Sequence, residues 1–247
     1  MDLQLKNKSV LITGGSKGIG LAAARAFAAE GCRLHLASRD RARLDKARAE
    51  LSGDVSIHSV DLRDGAALRR LAADCAEVDI LVNNAGDIPG GTLEAIDEAR
   101  WRHAWELKVF GYVNLTREIF ARMKARKGGV IVNVIGMAGE HPSFEYVCGS
   151  TANAGLGAFT KAMGKGSPAH GVRILGVHPP ATRTDRIIPL MKAAAKEKLG
   201  DESRWEELIG TGSFGQMIEP EQVADMVAFL ASPRAGRLSG VMVNLGA

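Results

Sequence analysis

The chain has 247 residues, 46% hydrophobic and 24% charged, with a net charge of +4. That size fits one α/β domain better than two, and its core can stand without disulfides or metals. The mild basic excess suits an anionic small molecule, and no Lys/Arg run is long enough to suggest nucleic acid. Cys32, Cys75 and Cys148 are widely spaced and odd in number, which gives neither a disulfide framework nor a zinc-ligand spacing, so no metal is expected. No apolar run approaches a membrane span, and Met1–Lys8 lacks the apolar stretch of a secretion signal, so no membrane partner and a cytoplasmic location are expected.

In chain order, Ser9–Thr13 reads as a buried strand and Ile19–Ala29 as an alanine-rich helix. Arg33–Ala37 is a second strand and Arg41–Leu51 a charged amphipathic helix. Val55–Val60 is a third strand, followed by a helix at Ala66–Cys75 and a strand at Ile80–Val82. Long helices are expected over Asp97–Lys124 and Thr151–Met163, with the strand Val130–Val134 between them. Arg173–Val177, the capped helix Pro220–Leu230 and the strand Gly240–Val243 close the pattern. Alternation of this kind predicts a parallel sheet with helices on both faces, and continuous apolar strands fit burial on both sides. The least regular stretch, Ala181–Gly215, is punctuated by Pro189, Gly200 and Gly210–Gly212. It reads as a lid over the crevice at the carboxyl ends of the strands.

Thr13-Gly14-Gly15-Ser16-Lys17-Gly18-Ile19-Gly20 joins the first strand to the first helix. Glycines allow a tight turn and a close backbone approach to a pyrophosphate, and the helix N-terminus offers free N–H groups and partial positive charge. Gly14, Ser16, Lys17, Gly18, Ile19 and Gly20 are therefore candidate cofactor-binding residues. The second strand ends at Ser38-Arg39, where an NAD site usually carries a carboxylate. Arg39 instead suits a 2′-phosphate, with Lys17 as a second positive charge, which points to NADP(H). Asp40 reads as the N-cap of the next helix.

Further motifs follow. Asp61-Leu62 comes after the third strand and Asn83-Asn84-Ala85-Gly86 after the fourth. Phe159-Thr160 lies on the later helix, and His178-Pro179 with Thr184-Asp185 follows the sixth strand. In order and spacing these motifs resemble the short-chain dehydrogenase/reductase family across nearly the whole chain. The resemblance implies a Rossmann-type doubly wound parallel sheet of about seven strands, hydride transfer on a nicotinamide, and a homodimer or homotetramer built partly on the two middle helices. It also implies that Asp61 and Leu62 contact adenine and that Asn83, Ala85 and Gly86 line the adenosine ribose. Pro179 joins the cofactor set, with Thr182 and Thr184 near the nicotinamide amide.

The family's catalytic set is Asn, Ser, Tyr and Lys. Flanking residues place Lys108 at the Asn position, Gly136 at the Ser, Gly149 at the Tyr and Asn153 at the Lys, and Pro179-Pro180 stands for the family's Pro-Gly. The ordinary mechanism then does not carry over. Two replacements are candidates for catalysis. Tyr146 is the nearest phenol, and its plainer role is packing at a loop–helix junction. Lys108 on the facing helix could act as a general acid if desolvated, and its plainer role is a solvated tip. His141 reads as an exposed loop imidazole and Cys148 as a buried structural thiol, while Asn153 could still bond the cofactor ribose.

The expected function is NADP(H)-dependent reduction of a carbonyl or oxidation of an alcohol by a non-standard acid/base group. One alternative is a catalytically silent dinucleotide-binding sensor or scaffold subunit. Another is a lyase or isomerase step in the same crevice with the cofactor idle. Phe144, Ile187, Ile188, Met191, Trp205 and Phe214 suggest an apolar small-molecule substrate, or simply pack the lid onto the core.

Overall fold

The computed structural model describes residues 1–208 and 217–246. Seven strands form one parallel sheet: β1 (Ser9–Thr13), β2 (Arg33–Ser38), β3 (Val55–Ser59), β4 (Ile80–Asn83), β5 (Gly129–Val134), β6 (Val172–His178) and β7 (Met242–Asn244). Their spatial order is β3-β2-β1-β4-β5-β6-β7. The helices are α1 (Gly18–Ala29), α2 (Arg41–Glu50), α3 (Gly65–Asp74), α4 (Glu98–Trp105), α5 (Gly111–Arg126), α6 (Val147–Gly166), α7 (Ile187–Leu199) and α8 (Pro220–Ala231). This is the expected Rossmann-type α/β architecture.

Every residue of β1 and β4 is buried, so both faces of the central sheet are covered. The pleat divides the apolar run of β1 between two cores. Val10 and Ile12 pack with Ala23, Phe27 and Val227 of α1 and α8. Leu11 packs with Leu68, Leu115 and Ile119 of α3 and α5. The chain winds outward from β1 to β3 and then returns to set β4 beside β1, in the register Val10↔Ile80 and Ile12↔Val82. Loops that leave the carboxyl ends of β1 and β4 diverge there and open the ligand crevice of such folds.

Local chemistry sets the helix starts. Asp40 caps α2 by accepting from the Arg43 N–H, as expected, and Asp64 and Asp97 cap α3 and α4 in the same way. Glu219 and Gln222 form a capping box on α8. In contrast, α1 opens without a capping side chain, so its first-turn N–H groups stay available at the mouth of the crevice.

Two sequence expectations need correction. The continuous helix over 97–124 is interrupted by a π-turn at Glu106–Phe110, which places Lys108 in the interior at 7% exposure rather than with a solvated tip. The expected irregular lid contains α7 and a 3₁₀ turn at Glu202–Leu208 that pack on each other. Residues 209–215 of that stretch, including Gly210–Gly212 and Phe214, lie outside the described residues. No helix among the described residues is long and apolar enough to cross a membrane.

Candidate active site

The glycine turn is held by contacts that leave no room for side chains. Gly14 has φ +67°, and a Cβ on Gly20 would lie 2.2 Å from the Gly14 carbonyl oxygen and 2.6 Å from Asn84 Nδ2. The turn is tied to the β4 loop as well. Thr13 Oγ1 accepts from the backbone N–H of Asn84 (2.9 Å) and of Ala85 (3.1 Å), and Asn84 Nδ2 donates to the Thr13 carbonyl (3.0 Å). The Thr184 methyl lies 3.3 Å from the Cβ position of Gly18, so the loop after β6 rests on the start of α1. A close-packed turn, an uncapped helix and an adjacent loop form a cradle whose shape and polarity fit a pyrophosphate.

Beside the turn, Ser16 Oγ donates to Ser38 Oγ at the end of β2 (3.0 Å). Lys17 and Arg39 are exposed, and Arg39 meets Asp87 at 4.0 Å between half-exposed groups, a pairing of small energy. Asp61 accepts from the Arg63 backbone N–H and from its guanidinium, and this holds the carboxyl below the usual carboxylate range. Leu62 is buried in the core beneath.

The Asn83 side chain points into the fold. It donates to Thr116 Oγ1 (3.0 Å) and Asn133 Oδ1 (2.9 Å), and Asn133 in turn donates to Thr160 Oγ1 (2.8 Å). Every member of this network is buried, and it locks β4, β5, α5 and α6 below the crevice.

Beyond the ends of β4 and β5 the polar groups change character. Lys108 Nζ donates to the carbonyls of Val134 (2.9 Å) and Ile135 (3.2 Å) and to the Tyr112 hydroxyl (3.0 Å). Tyr112 is fully buried, and its hydroxyl donates to the same Val134 carbonyl (2.8 Å). The Lys108 stem lies against Gly86, with Cδ 2.7 Å and Nζ 3.4 Å from the Cβ position there. Burial and then the Arg186 guanidinium push the Lys108 ammonium down from 10.5 to about 7. Burial pushes the Tyr112 phenol up, with Arg186 opposing.

This depressed ammonium makes stability depend on pH. In the unfolded chain a lysine titrates near 10.4, so between about pH 7 and pH 10 the unfolded state binds more protons and stability rises with pH. Urea unfolding is expected to show a gain of about 2 kcal/mol between pH 7 and 9 that Lys108→Met abolishes. Equal slopes in the two proteins would refute the depressed ammonium.

Four other residues complete this end. Tyr146 sits at the N-cap of α6, and its ring fills the space beside Gly149, where a Cβ would lie 2.0 Å from Cε1. Gly136 has φ +136°, and a Cβ there would meet Asn153 Nδ2 at 2.8 Å. His178 is wholly buried, with Nδ1–H donating to the Gly136 carbonyl (2.7 Å) and Nε2 3.4 Å from Glu140 Oε1. Burial lowers the His178 pKa, while the Gly136 bond and Glu140 oppose that shift. Arg186 donates to the Ile88 carbonyl (2.8 Å), which joins the start of α7 to the β4 loop over a cavity of about 600 Å³ lined by Asp87, Ile88, His103 and Ala104.

The family model described as short chain dehydrogenase matches residues 8–195. The chain belongs to the short-chain dehydrogenase family. Galactitol 2-dehydrogenase (L-tagatose-forming) from Cereibacter sphaeroides is 32% identical over 97% of this chain and 94% of its own. The crystal structure of L-sorbose reductase from Gluconobacter frateurii, complexed with NADPH and L-sorbose, superposes with a TM-score of 0.92 at 28% identity, covering 100% and 98% of the two chains. A 7α-hydroxysteroid dehydrogenase complexed with NADH and 7-oxo glycochenodeoxycholic acid gives a TM-score of 0.86 at 25% identity, covering 99% and 95%. Structures of this type thus occur with either nicotinamide dinucleotide.

In this short-chain dehydrogenase the fold gathers Gly14, Gly18, Gly20, Ala85 and Thr184 around one turn. It gathers Lys108, Gly136, Asn153 and His178 around the end of β5. Thr182 is turned back on the Pro180 carbonyl (3.0 Å). His141 is exposed, and Cys148 is buried with its thiol pushed up by desolvation. Tyr112, Arg186 and the His178–Glu140 contact were not among the residues expected from sequence. The Lys108/Tyr112 spacing of one helical turn was the available signal for the first.

Proposed function

We propose that this short-chain dehydrogenase binds NADP(H) and interconverts a small carbonyl compound and its alcohol, with Lys108 as the proton-carrying group. The observation that carries this reading is the buried Lys108 amine packed against Gly86 beside the glycine-turn cradle, where burial pushes its ammonium down to about 7. The bound cofactor supplies or accepts the hydride. The chain's own residues hold the rest of the chemistry. Lys108 holds its three N–H donors on the Val134 and Ile135 carbonyls and the Tyr112 hydroxyl, and releasing the longest bond, to Ile135 (3.2 Å), frees one proton for the alkoxide oxygen as the carbonyl is reduced. Burial, and after it the Arg186 guanidinium, keeps Lys108 from holding its proton too tightly.

Lys108, Gly136, Gly149 and Asn153 occupy the positions where the family carries Asn, Ser, Tyr and Lys. Lys108 then supplies an acid that Gly149 lacks. Tyr146, which fills the space beside Gly149, is the second candidate donor. The α7 segment and the turn after it act as the lid over the substrate.

The absence of a carboxylate at Ser38-Arg39 and the exposed Arg39 and Lys17 support NADP(H) over NAD(H). Paired fluorescence titrations of NADPH and NADH test this. Arg39→Ala is expected to weaken NADPH by about 10- to 100-fold, the worth of a charge-assisted hydrogen bond, and to leave NADH unchanged. Equal affinity for the two nucleotides in the wild type would reject the preference.

Gly136 and Gly149 have no side chains to offer a substrate, and this favours a second reading as a silent dinucleotide-binding subunit. Tight NADPH binding with no oxidation across a panel of ketones, aldehydes and ketoses would select it. A groove along α4 and the π-turn, with Leu93, Ile96, Trp101, Trp105 and Phe110 as its apolar wall and Glu98, Arg102 and Glu106 at its edge, supports a homo-oligomer. Sedimentation equilibrium is expected to give a dimer or tetramer, and Trp105→Glu to shift it toward monomer.

A further inference from the structure

On the α3 face of the sheet, outside the glycine turn and the Lys108 cluster, three side chains converge. His35 on β2 and His58 on the edge strand β3 meet at 3.2 Å between Nδ1 and Nε2. Cys75, at the carboxyl end of α3, places Sγ 3.7 Å from the same His58 Nε2. All three donor atoms lie within 4.8 Å of one another, the thiol buried and both imidazoles partly exposed. Strand pairing makes this possible. Parallel register sets His35 opposite Ser56 and Ala37 opposite His58, so the two rings emerge on one face, two positions apart.

Hydrogen bonding alone serves this cluster poorly. His58 Nε2 is either a single lone pair facing two prospective donors or a single N–H facing two acceptors. Among the described residues neither ring has a carboxylate within salt-bridge distance. A tetrahedral ion with nitrogen at about 2.0–2.1 Å and sulfur at about 2.3 Å needs N···N edges of about 3.3 Å and N···S edges of about 3.6 Å. The His35–His58 and His58–Cys75 contacts match those edges, and the third edge, within 4.8 Å, closes as an ion draws His35 and Cys75 together.

We infer that His35, His58 and Cys75 form a binding site for a zinc-class divalent ion, with water in the fourth position on the solvent side of β3. Imidazole and thiolate are the ligands that such an ion prefers over oxygen-seeking magnesium or calcium. Binding breaks the Cys75 S–H bond and forms a sulfur–metal bond, with one proton released to solvent for each ion taken up. The ion clamps β2, β3 and α3 together. Ser38-Arg39 and Asp61-Leu62 follow three and four residues beyond His35 and His58, so the clamp braces the strands that carry the adenosine end. The inference does not depend on how the crevice works.

Cobalt(II) titration of the chelator-treated full chain tests it. One equivalent is expected to bind with the intense visible bands of a tetrahedral ion and a thiolate-to-cobalt charge-transfer band, and zinc is expected to displace it. Cys75→Ser should lose the charge-transfer band, and His58→Ala should weaken binding at least about 100-fold, while Cys32→Ser leaves both unchanged. Zinc should raise the Tm of the wild type by several degrees but not that of Cys75→Ser, a readout that holds even if the variant is less stable. Weak octahedral spectra, a charge-transfer band that survives Cys75→Ser, or no zinc-dependent Tm shift in the wild type would overturn the site.

Discussion

Lys108→Met is expected to lower NADPH-dependent turnover by at least about 100-fold, the usual worth of a positioned general acid, while NADPH binding stays near the wild-type value. Methionine keeps most of the buried volume of the lysine stem, so the packing against Gly86 persists. The Val134 carbonyl keeps its bond from Tyr112, which limits the structural cost. What disappears is the proton at Nζ. Because that group titrates near 7, carbonyl reduction in the wild type should slow as pH rises through that value, and alcohol oxidation should quicken. The variant should lose this inflection in both directions. Stopped-flow turnover from pH 5.5 to 9 measures it. If Lys108→Met keeps turnover and the inflection, while Tyr146→Phe loses them, the proton belongs to the phenol at the head of α6. If neither variant matters because the wild type turns nothing over, the silent subunit reading stands.

Gly20→Ala should be the most damaging single methyl in the cradle. The new Cβ would sit 2.2 Å from the Gly14 carbonyl oxygen and 2.6 Å from Asn84 Nδ2, and the first of these is backbone that cannot swing aside. Either α1 moves away from the turn or the turn moves from β4. Overpacking of this kind costs about 3 kcal/mol of folding stability. It also pulls the Thr13–Asn84 bonds that align the two loops. A misaligned turn is expected to lose about 2 kcal/mol of NADPH binding, roughly 30-fold. Denaturation and fluorescence titration on the same preparation separate the two effects. Gly166→Ala, in open space at the end of α6, is the control and should change neither. Wild-type affinity in Gly20→Ala would mean that the nucleotide does not rest on this turn.

The parts of this fold legible in sequence are those that local chemistry decides. The buried strands show as short apolar runs because both faces of a parallel sheet are covered. The Asp40 cap shows because a short acceptor before a helical pattern has few other uses. The glycine turn shows because the close approach of Gly20 to Gly14 forbids any other residue. The structure carries α6 over Val147–Gly166, beyond the Thr151–Met163 that the sequence predicts, because Gly149, Gly164 and Gly166 act as breakers only until tertiary packing supports them.

What only the tertiary structure decides is which side chains lose water and which distant ones meet. Lys108 is one lysine on a polar helix by local reading. The π-turn rotates it toward the carbonyls at the end of β5, and burial then brings its pKa near neutrality. Tyr146 fills the space beside Gly149 through a bend at the start of α6. His35, His58 and Cys75 are separated by 23 and 17 residues and match no metal-binding spacing. The register of β2 on β3 and the length of α3 bring them together. Sequence by itself therefore determined the sheet, its turns and the glycine turn after β1, since these rest on the conformational limits of single residues. Burial and long-range contact set the candidate chemistry, because proton affinity and metal affinity depend on neighbours that only folding supplies.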